Sequence, residues 1–374
     1  MNSRSRRVAI VHDWLVVNGG AEKVLENILA VYPDADIFTL VDYLPQKDRE
    51  WLGDRKIFTS FIQKLPFSKK HYRNYFPLFP IAIEQLDVTQ YDLVMSSSYA
   101  VAKGVITGPE QTHICYCHSP ARYAWDLQFQ YLKESNMETG LKSRIARYFL
   151  HKFRIWDTRT ANGVDVFIAN SHFIKKRIFK CYRREAEVIF PPVDVSQFAL
   201  KKDKQDFYLT ASRMVPYKRI DLIVSAFTQM PDRKLKVIGD GPEMEKIREI
   251  AKGHNNIEIL GFQLNEVLVD HLQNAKAFVF AAEEDFGILP VEAQACGTPV
   301  LAFGKGGCLE TVKDGVTGLH FEEQTESSII NAVNRFESNS VQIEAEVVRK
   351  NAELFSSEHF QQSLNTLVAK ELGN

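Results

Sequence analysis

The stretch from Ala277 to Phe303 leaves few folds open to this chain. Ala277–Ala282 is an unbroken apolar run, the mark of a strand buried on both faces. An acidic loop, Glu283–Gly287, leads from it into a short helix. Pro290 falls in the first turn, where its missing N–H costs nothing, and Gly297 lies just past the end. A second apolar run, Pro299–Phe303, follows. In open α/β sheets, ligands bind at the carboxyl ends of strands, where loops meet helix N-termini. The N–H groups of Phe286, Gly287 and Ile288 therefore form a candidate anion site. Glu284 in the loop and Glu292 in the helix flank it, with seven residues between them. A bare helix N-terminus suits phosphate. Carboxylates beside it suit a ligand that also carries hydroxyls, and phosphate joined to sugar is the simplest such ligand.

The same strand–loop–helix rhythm runs through the rest of the chain. Val8–His12 is a first buried strand, followed by Gly19-Gly20 and a helix with Ala21, Val24, Leu25, Ile28 and Leu29 on one face. The dinucleotide fingerprint G-x-G-x-x-G is absent, which weakens the case for a nicotinamide enzyme. Asp92–Ser96 is a strand ending in a serine-rich loop. Thr112–Cys117 is another and delivers His118-Ser-Pro-Ala-Arg122 to its carboxyl end, with Asp126 a candidate helix cap beyond it. Pro191-Pro192 and the charged stretch Lys201–Asp206 form the best linker candidate, so a first domain ends near residue 198. The second domain opens with the strand Phe207–Ala211. Its loop carries Arg213 and Lys218, two cations at a strand-to-helix turn that favour a diphosphate. Gly239 and Gly241 follow another strand and serve either close approach to a nucleotide or a simple turn.

Two regions are basic and aromatic together. Between Asp54 and Glu84 there is no acidic residue, while Lys69, Lys70 and Arg73 stand among Phe67, Tyr72, Tyr75, Phe76 and Phe79. From Lys142 to Arg159, six cations face one acid, Asp157, with Ile145, Phe149, Phe153 and Trp156 at helical spacing. An anionic membrane surface or a lipid phosphate fits this mixture. An aromatic core under solvated lysines fits it too, and nucleic acid would, although no nucleic-acid motif accompanies it.

With 374 residues, two domains of ordinary size are expected, and a net charge of −1 leaves no global field for nucleic acid. Five scattered cysteines point to a reducing compartment rather than a disulfide framework. Cys115-x-Cys117-His118 has no second ligand pair at a metal-binding spacing and reads as a strand end. No apolar run reaches the ~18 residues of a membrane span, and the basic N-terminus enters a strand at once, so a cytoplasmic protein is expected.

Taken together, the frame Glu284-x7-Glu292, with Phe286-Gly287 inside it and Cys296-Gly-Thr-Pro-Val300 after it, resembles retaining glycosyltransferases of family 4 with the GT-B fold. His118-Ser-Pro with Arg122-Tyr123 and Trp125-Asp126 is similar to bacterial O-antigen mannosyltransferases within that family. Gly306-Gly307 and Glu310 match a further family motif, with Leu309 where proline is usual. The resemblance covers nearly the whole chain. It implies two Rossmann-like domains facing across a cleft: 1–198 for the acceptor, 199–356 for a nucleotide sugar, and a helix at 357–372 packing back on the first. It implies transfer of a hexose, with GDP-mannose the preferred donor and UDP-sugars open, to a lipid-diphosphate-linked glycan, without any metal or other cofactor. Arg213, Lys218 and the N–H groups near Gly287 would hold the diphosphate, Glu292 the ribose, and Glu284 and His118 the sugar. Gly19 and Gly20 would face the donor diphosphate or the acceptor, and Lys69, Lys70, Arg73 and Arg122 the lipid phosphate or the cytoplasmic face of an inner membrane. Other readings are a nucleotide-sugar epimerase and a catalytically silent sugar-nucleotide sensor or membrane scaffold.

Overall fold

A computed structural model describes residues 6–338 and 342–373. They form two compact units, one running up to Phe190 and including the segment from Phe360, the other Pro191–His359.

The first unit is built on a seven-stranded sheet: β1 (Val8–His12), β2 (Asp36–Thr39), β3 (Ile57–Thr59), β4 (Leu93–Ser98), β5 (Thr112–Cys117), β6 (Val166–Ala169) and β7 (Glu187–Val188). The order is β3-β2-β1-β4-β5-β6-β7, with parallel pairings. Alternate residues of β1 enter different cores, as the pleat requires. Ala9 and Val11 pack with Phe38, Phe79 and Phe153, whereas Ile10 packs with Leu25, Ile28 and Tyr116. The helix Ser357–Glu371 closes this second face. Phe360, Leu364, Leu367 and Val368 recur at helical spacing and are buried there, with Phe360 edge-on to Tyr116 at 5.7 Å.

The second unit carries six strands: β8 (Tyr208–Ala211), β9 (Leu235–Ile238), β10 (Ile257–Gly261), β11 (Ala277–Phe280), β12 (Val300–Phe303) and β13 (Gly318–Phe321). Their order is β10-β9-β8-β11-β12-β13, again parallel. Both sheets thus follow the Rossmann order, in which the chain reverses direction across the sheet after its third strand. That reversal opens a crevice at the strand ends, between β1 and β4 in one unit and between β8 and β11 in the other.

The helix Gly140–Thr160 covers part of the first unit, and its one acid points inward. Asp157 is fully buried, 2.6 Å from the Lys103 ammonium, and accepts from Trp125 Nε1 at 2.7 Å and from the Tyr182 hydroxyl at 2.9 Å. The exposed charges of that helix are therefore all basic: Lys142, Arg144, Lys152 and Arg159 among them. Phe153 and Trp156 pack on the core, but Leu141, Ile145, Tyr148 and Ile155 are exposed, so apolar groups also lie outside the core-facing stripe. Asp126 does not cap the next helix. Leu127 occupies the cap of Gln128–Glu134, and the Asp126 carboxylate instead meets Arg177 at 3.0 Å.

Candidate active site

In the second unit, the loops after β8 and β11 share the crevice, and they bring Lys218 and Glu284 into a direct ion pair. Arg213 on the same loop is exposed. The loop is shaped by glycine. A Cβ on Gly239 would lie 1.8 Å from the Ser212 carbonyl oxygen, and one on Gly241 would lie 2.5 Å from that of Met214. The close approach at Gly239 and Gly241 is thus made by the backbone that carries Arg213.

The Glu284 loop is shaped the same way. A Cβ on Gly306 would come 2.4 Å from the Glu284 carbonyl oxygen, and one on Gly307 would come 2.3 Å from Phe286 Cα. The Gly307 N–H donates to Glu284 O at 2.8 Å. The glycine pair after β12 therefore seats the acidic loop, a role that the sequence did not indicate.

The helix after the loop spans Ile288–Ala295, with Gly287 at its cap in the left-handed region at φ 87°. With Gly287 at the cap, the first-turn N–H groups of the helix are those of Ile288 and Leu289, and the Phe286 ring before it turns inward, 3% exposed and edge-on to Phe355 at 5.5 Å. Gln294 braces the helix by donating to Thr311 O at 2.8 Å while accepting from Asn351 at 2.8 Å. Glu292 lies in the same helix, and burial pushes its carboxyl up to about 7.

In the first unit, the β1–β4 crevice is lined by polar groups. Asp13 is fully buried just after β1, and its carboxylate accepts from the N–H groups of Tyr99, Ala100, Val101 and Ala102 at 2.6–2.9 Å. Burial raises its pKa, and the N–H donors and His12 oppose the rise. This clamp ties the loop after β4 to the loop after β1. Gly19 caps the helix Gly20–Val31, and its N–H donates to Glu22 Oε2 at 3.0 Å. His118 follows β5, with its N–H on Ser98 O at 2.9 Å and its carbonyl accepting from Asn170 at 2.9 Å. Its ring is half-buried between Tyr99 and Tyr116, and Nε2 lies 2.8 Å from Ser97 Oγ. Burial, with His12 nearby, holds its pKa down to about 3, so the ring is neutral. Sequence reasoning singled out His118 and missed Asp13, Glu22, His12 and Ser97. The available signal was a histidine and a serine run closing otherwise apolar strands.

Cys115 and Cys117 pack in the core with Phe167 and Ile174. Among the described residues, no group of three His, Cys, Asp or Glu side chains is placed to hold a metal ion. Arg73, Phe76 and Phe79 of the first basic-aromatic region join Trp14, Tyr123 and Phe149 in lining an open cavity of about 540 Å³. Lys69 and Lys70 are exposed on the adjacent short helix Ser68–His71, and Arg122 lies in the turn after β5. No helix among the described residues is long and apolar enough to cross a membrane.

Two Rossmann-like sheets in tandem, each with its polar loops at the reversal point, define the GT-B class. A sucrose-phosphate synthase from Thermosynechococcus elongatus shares the fold with a TM-score of 0.75 at 17% identity, covering 98% of this chain and 100% of that one. The family model of glycosyl transferases group 1 matches residues 194–355, and that of glycosyltransferase family 4 matches residues 18–197. The chain belongs to the family 4 glycosyltransferases. It is 29% identical over 204 residues to the GDP-mannose-dependent alpha-(1-6)-phosphatidylinositol monomannoside mannosyltransferase of Mycolicibacterium smegmatis, a match covering 47% of this chain and 53% of the relative. It is 26% identical over 381 residues to alpha-1,3/1,6-mannosyltransferase ALG2 of Kluyveromyces lactis, covering 83% of this chain and 71% of the relative. The chain spans about half the length of the first curated relatives it matches, 52% and 53%.

Proposed function

We propose that this chain transfers a hexose, mannose from GDP-mannose, to a lipid-diphosphate-linked glycan of the kind used in surface polysaccharides, with retention of the anomeric configuration. The observation that carries this reading is the Lys218–Glu284 ion pair at the β8–β11 crevice, with Arg213 on the loop of Lys218 and Glu292 in the helix that follows the loop of Glu284. The names of the mannosyltransferase relatives support the choice of sugar and of donor.

The reaction breaks the bond between the sugar and the nucleotide diphosphate, so negative charge develops on the leaving oxygen. Arg213, Lys218 and the first-turn N–H groups of Ile288 and Leu289 stabilise that charge, and the site needs no metal for it. Glu292, once ionised, accepts from both ribose hydroxyls. Glu284 accepts from hydroxyls of the sugar. The acceptor hydroxyl attacks from the face that the diphosphate leaves, and the leaving phosphate takes its proton. The aromatic cavity and the exposed Lys69, Lys70, Lys142 and Arg144 suit the hydrocarbon and phosphate of a lipid carrier at an anionic membrane surface.

A thermal-shift panel with GDP, UDP, ADP and TDP and their sugars tests the reading. GDP and GDP-mannose at saturating excess are expected to stabilise the wild type by ~2–4 kcal/mol and to lose that effect in Glu292→Ala. If no nucleotide shifts the melting point, a catalytically silent scaffold becomes the better reading.

A further inference from the structure

The β1–β4 crevice holds a polar chain that the function above leaves unused. Glu22, His12 and Ser97 are 3%, 0% and 0% exposed. Glu22 rests Oε2 on the Gly19 N–H at 3.0 Å and brings Oε1 to 3.6 Å from His12 Nε2. His12 Nδ1 is 3.1 Å from Ser97 Oγ, and the same Oγ is 2.8 Å from His118 Nε2. The sheet register makes this alignment, because His12 of β1 pairs with Ser97 of β4, and Ser97 stands one step from the strand end at which β5 delivers His118.

Protons can be placed along the chain by donor and acceptor capacity alone. A carboxylate only accepts, so the field of Glu22 favours the N–H on the His12 nitrogen that faces it. A neutral His12 is then bare at Nδ1. The single proton of Ser97 goes to that nitrogen, and its oxygen must accept from His118. His118 is thereby held with N–H at Nε2 and a lone pair at Nδ1. That Nδ1 makes no hydrogen bond among the described residues, and the ring is only half-buried.

We propose that Glu22, His12 and Ser97 are positioning residues that fix the tautomer of His118, so that Nδ1 is presented as a hydrogen-bond acceptor to a ligand hydroxyl. A hydroxyl can donate there. A fluorine or a carbonyl oxygen in its place meets lone pair against lone pair and is rejected. That the hydroxyl belongs to a sugar rests on the glycosyltransferase reading. The tautomer does not.

The test is ¹⁵N NMR of the histidine rings in the full-length, ligand-free protein at a pH of about 8, above the ordinary histidine range. In the wild type, His118 is expected to show a protonated Nε2 and an unprotonated Nδ1. Glu22→Gln should reverse the chain: the amide oxygen keeps the Gly19 N–H, the amide nitrogen donates to His12 Nε2, and each later bond turns round until His118 carries its proton on Nδ1. Ser97→Ala should uncouple the rings and give averaged shifts, while the rest of each spectrum reports that the fold is kept. With GDP-mannose, Glu22→Gln should lower kcat about tenfold without changing the GDP affinity. A wild-type His118 protonated at Nδ1, or one indifferent to Glu22→Gln, overturns the proposal. Failure of the wild type to bind any nucleotide would strike the glycosyltransferase reading and leave the tautomer result standing.

Discussion

Lys218 and Glu284 neutralise each other in the β8–β11 crevice, although they stand 66 residues apart in the chain and are proposed to meet separate ligands. The cation proposed for the diphosphate is held by the carboxylate proposed for the sugar. Binding of a nucleotide must therefore redistribute Lys218 between the two.

Removing the carboxylate separates the two roles. Glu284→Ala leaves Lys218 free for the diphosphate, so the affinity for GDP is expected to hold or to tighten by up to about tenfold, roughly 1.4 kcal/mol. Transfer should fall by ~10²-fold or more, because the contact to the sugar is lost. Isothermal titration with GDP and initial-rate kinetics on the same preparation check both. A parallel loss of affinity and rate would show that Glu284 acts on the diphosphate side instead.

With Glu292 as the proposed ribose contact, nucleotide binding is expected to depend on pH. Its pKa of about 7 lies above the ordinary carboxylate range because of burial, so the neutral acid predominates below about pH 7. A ribose diol that donates twice needs the carboxylate. Affinity for GDP should therefore fall as pH drops below 7, by up to about tenfold per unit. In the ligand-free protein the sign is opposite: stability from keeping Glu292 neutral is present below about pH 4.5 and is lost as the pH rises towards 7. Glu292→Gln should flatten both dependences. GDP titrations and thermal melts between pH 5 and 8 measure them.

The glycine pair after β12 predicts a structural lesion with a functional consequence. Gly307→Ala puts a methyl group against the Phe286 backbone, where no flexible side chain can yield. A cost of about 1–3 kcal/mol is expected, together with displacement of the Glu284 loop. Gly163→Ala, with nothing within 4 Å of its added carbon, serves as the control and should melt like the wild type. Chemical denaturation and GDP affinity of the two variants make the comparison.

Trp14 reports on the aromatic cavity, because it is part of the lining. A bromine-bearing alkyl phosphate should quench its fluorescence, and Trp14→Phe should remove that signal. Ala146→Trp fills the cavity and should abolish the quenching, while Arg73→Ala should weaken it about tenfold at low salt. Quenching that survives Ala146→Trp would place the lipid elsewhere on the basic surface.

The terminal helix and the two sheets were legible early because their signals are local. Apolar runs of four or five residues, helical spacing at Phe360, Leu364, Leu367 and Val368, and glycines past helix ends each need only a few neighbouring residues to be read. The frame from Glu284 to Glu292 was legible for the same reason. Asp126 was only a candidate cap and turned out to pair with Arg177, since whether a carboxylate caps a helix or meets a distant arginine depends on where that arginine ends up.

By itself, the sequence determined the kinds of element, their alternation and the residue types at the strand ends. Tertiary structure alone decided which ends meet. Strand order follows from how each crossover packs on the sheet, so His12 reaches Ser97 across 85 residues, and Asp13 reaches the N–H groups of residues 99–102. The same ordering put Lys218 on Glu284 and seated Gly307 under Phe286. Hydrogen bonds and ion pairs of this range have no period and no spacing in the chain. They exist only once the sheet has brought separate loops to one edge.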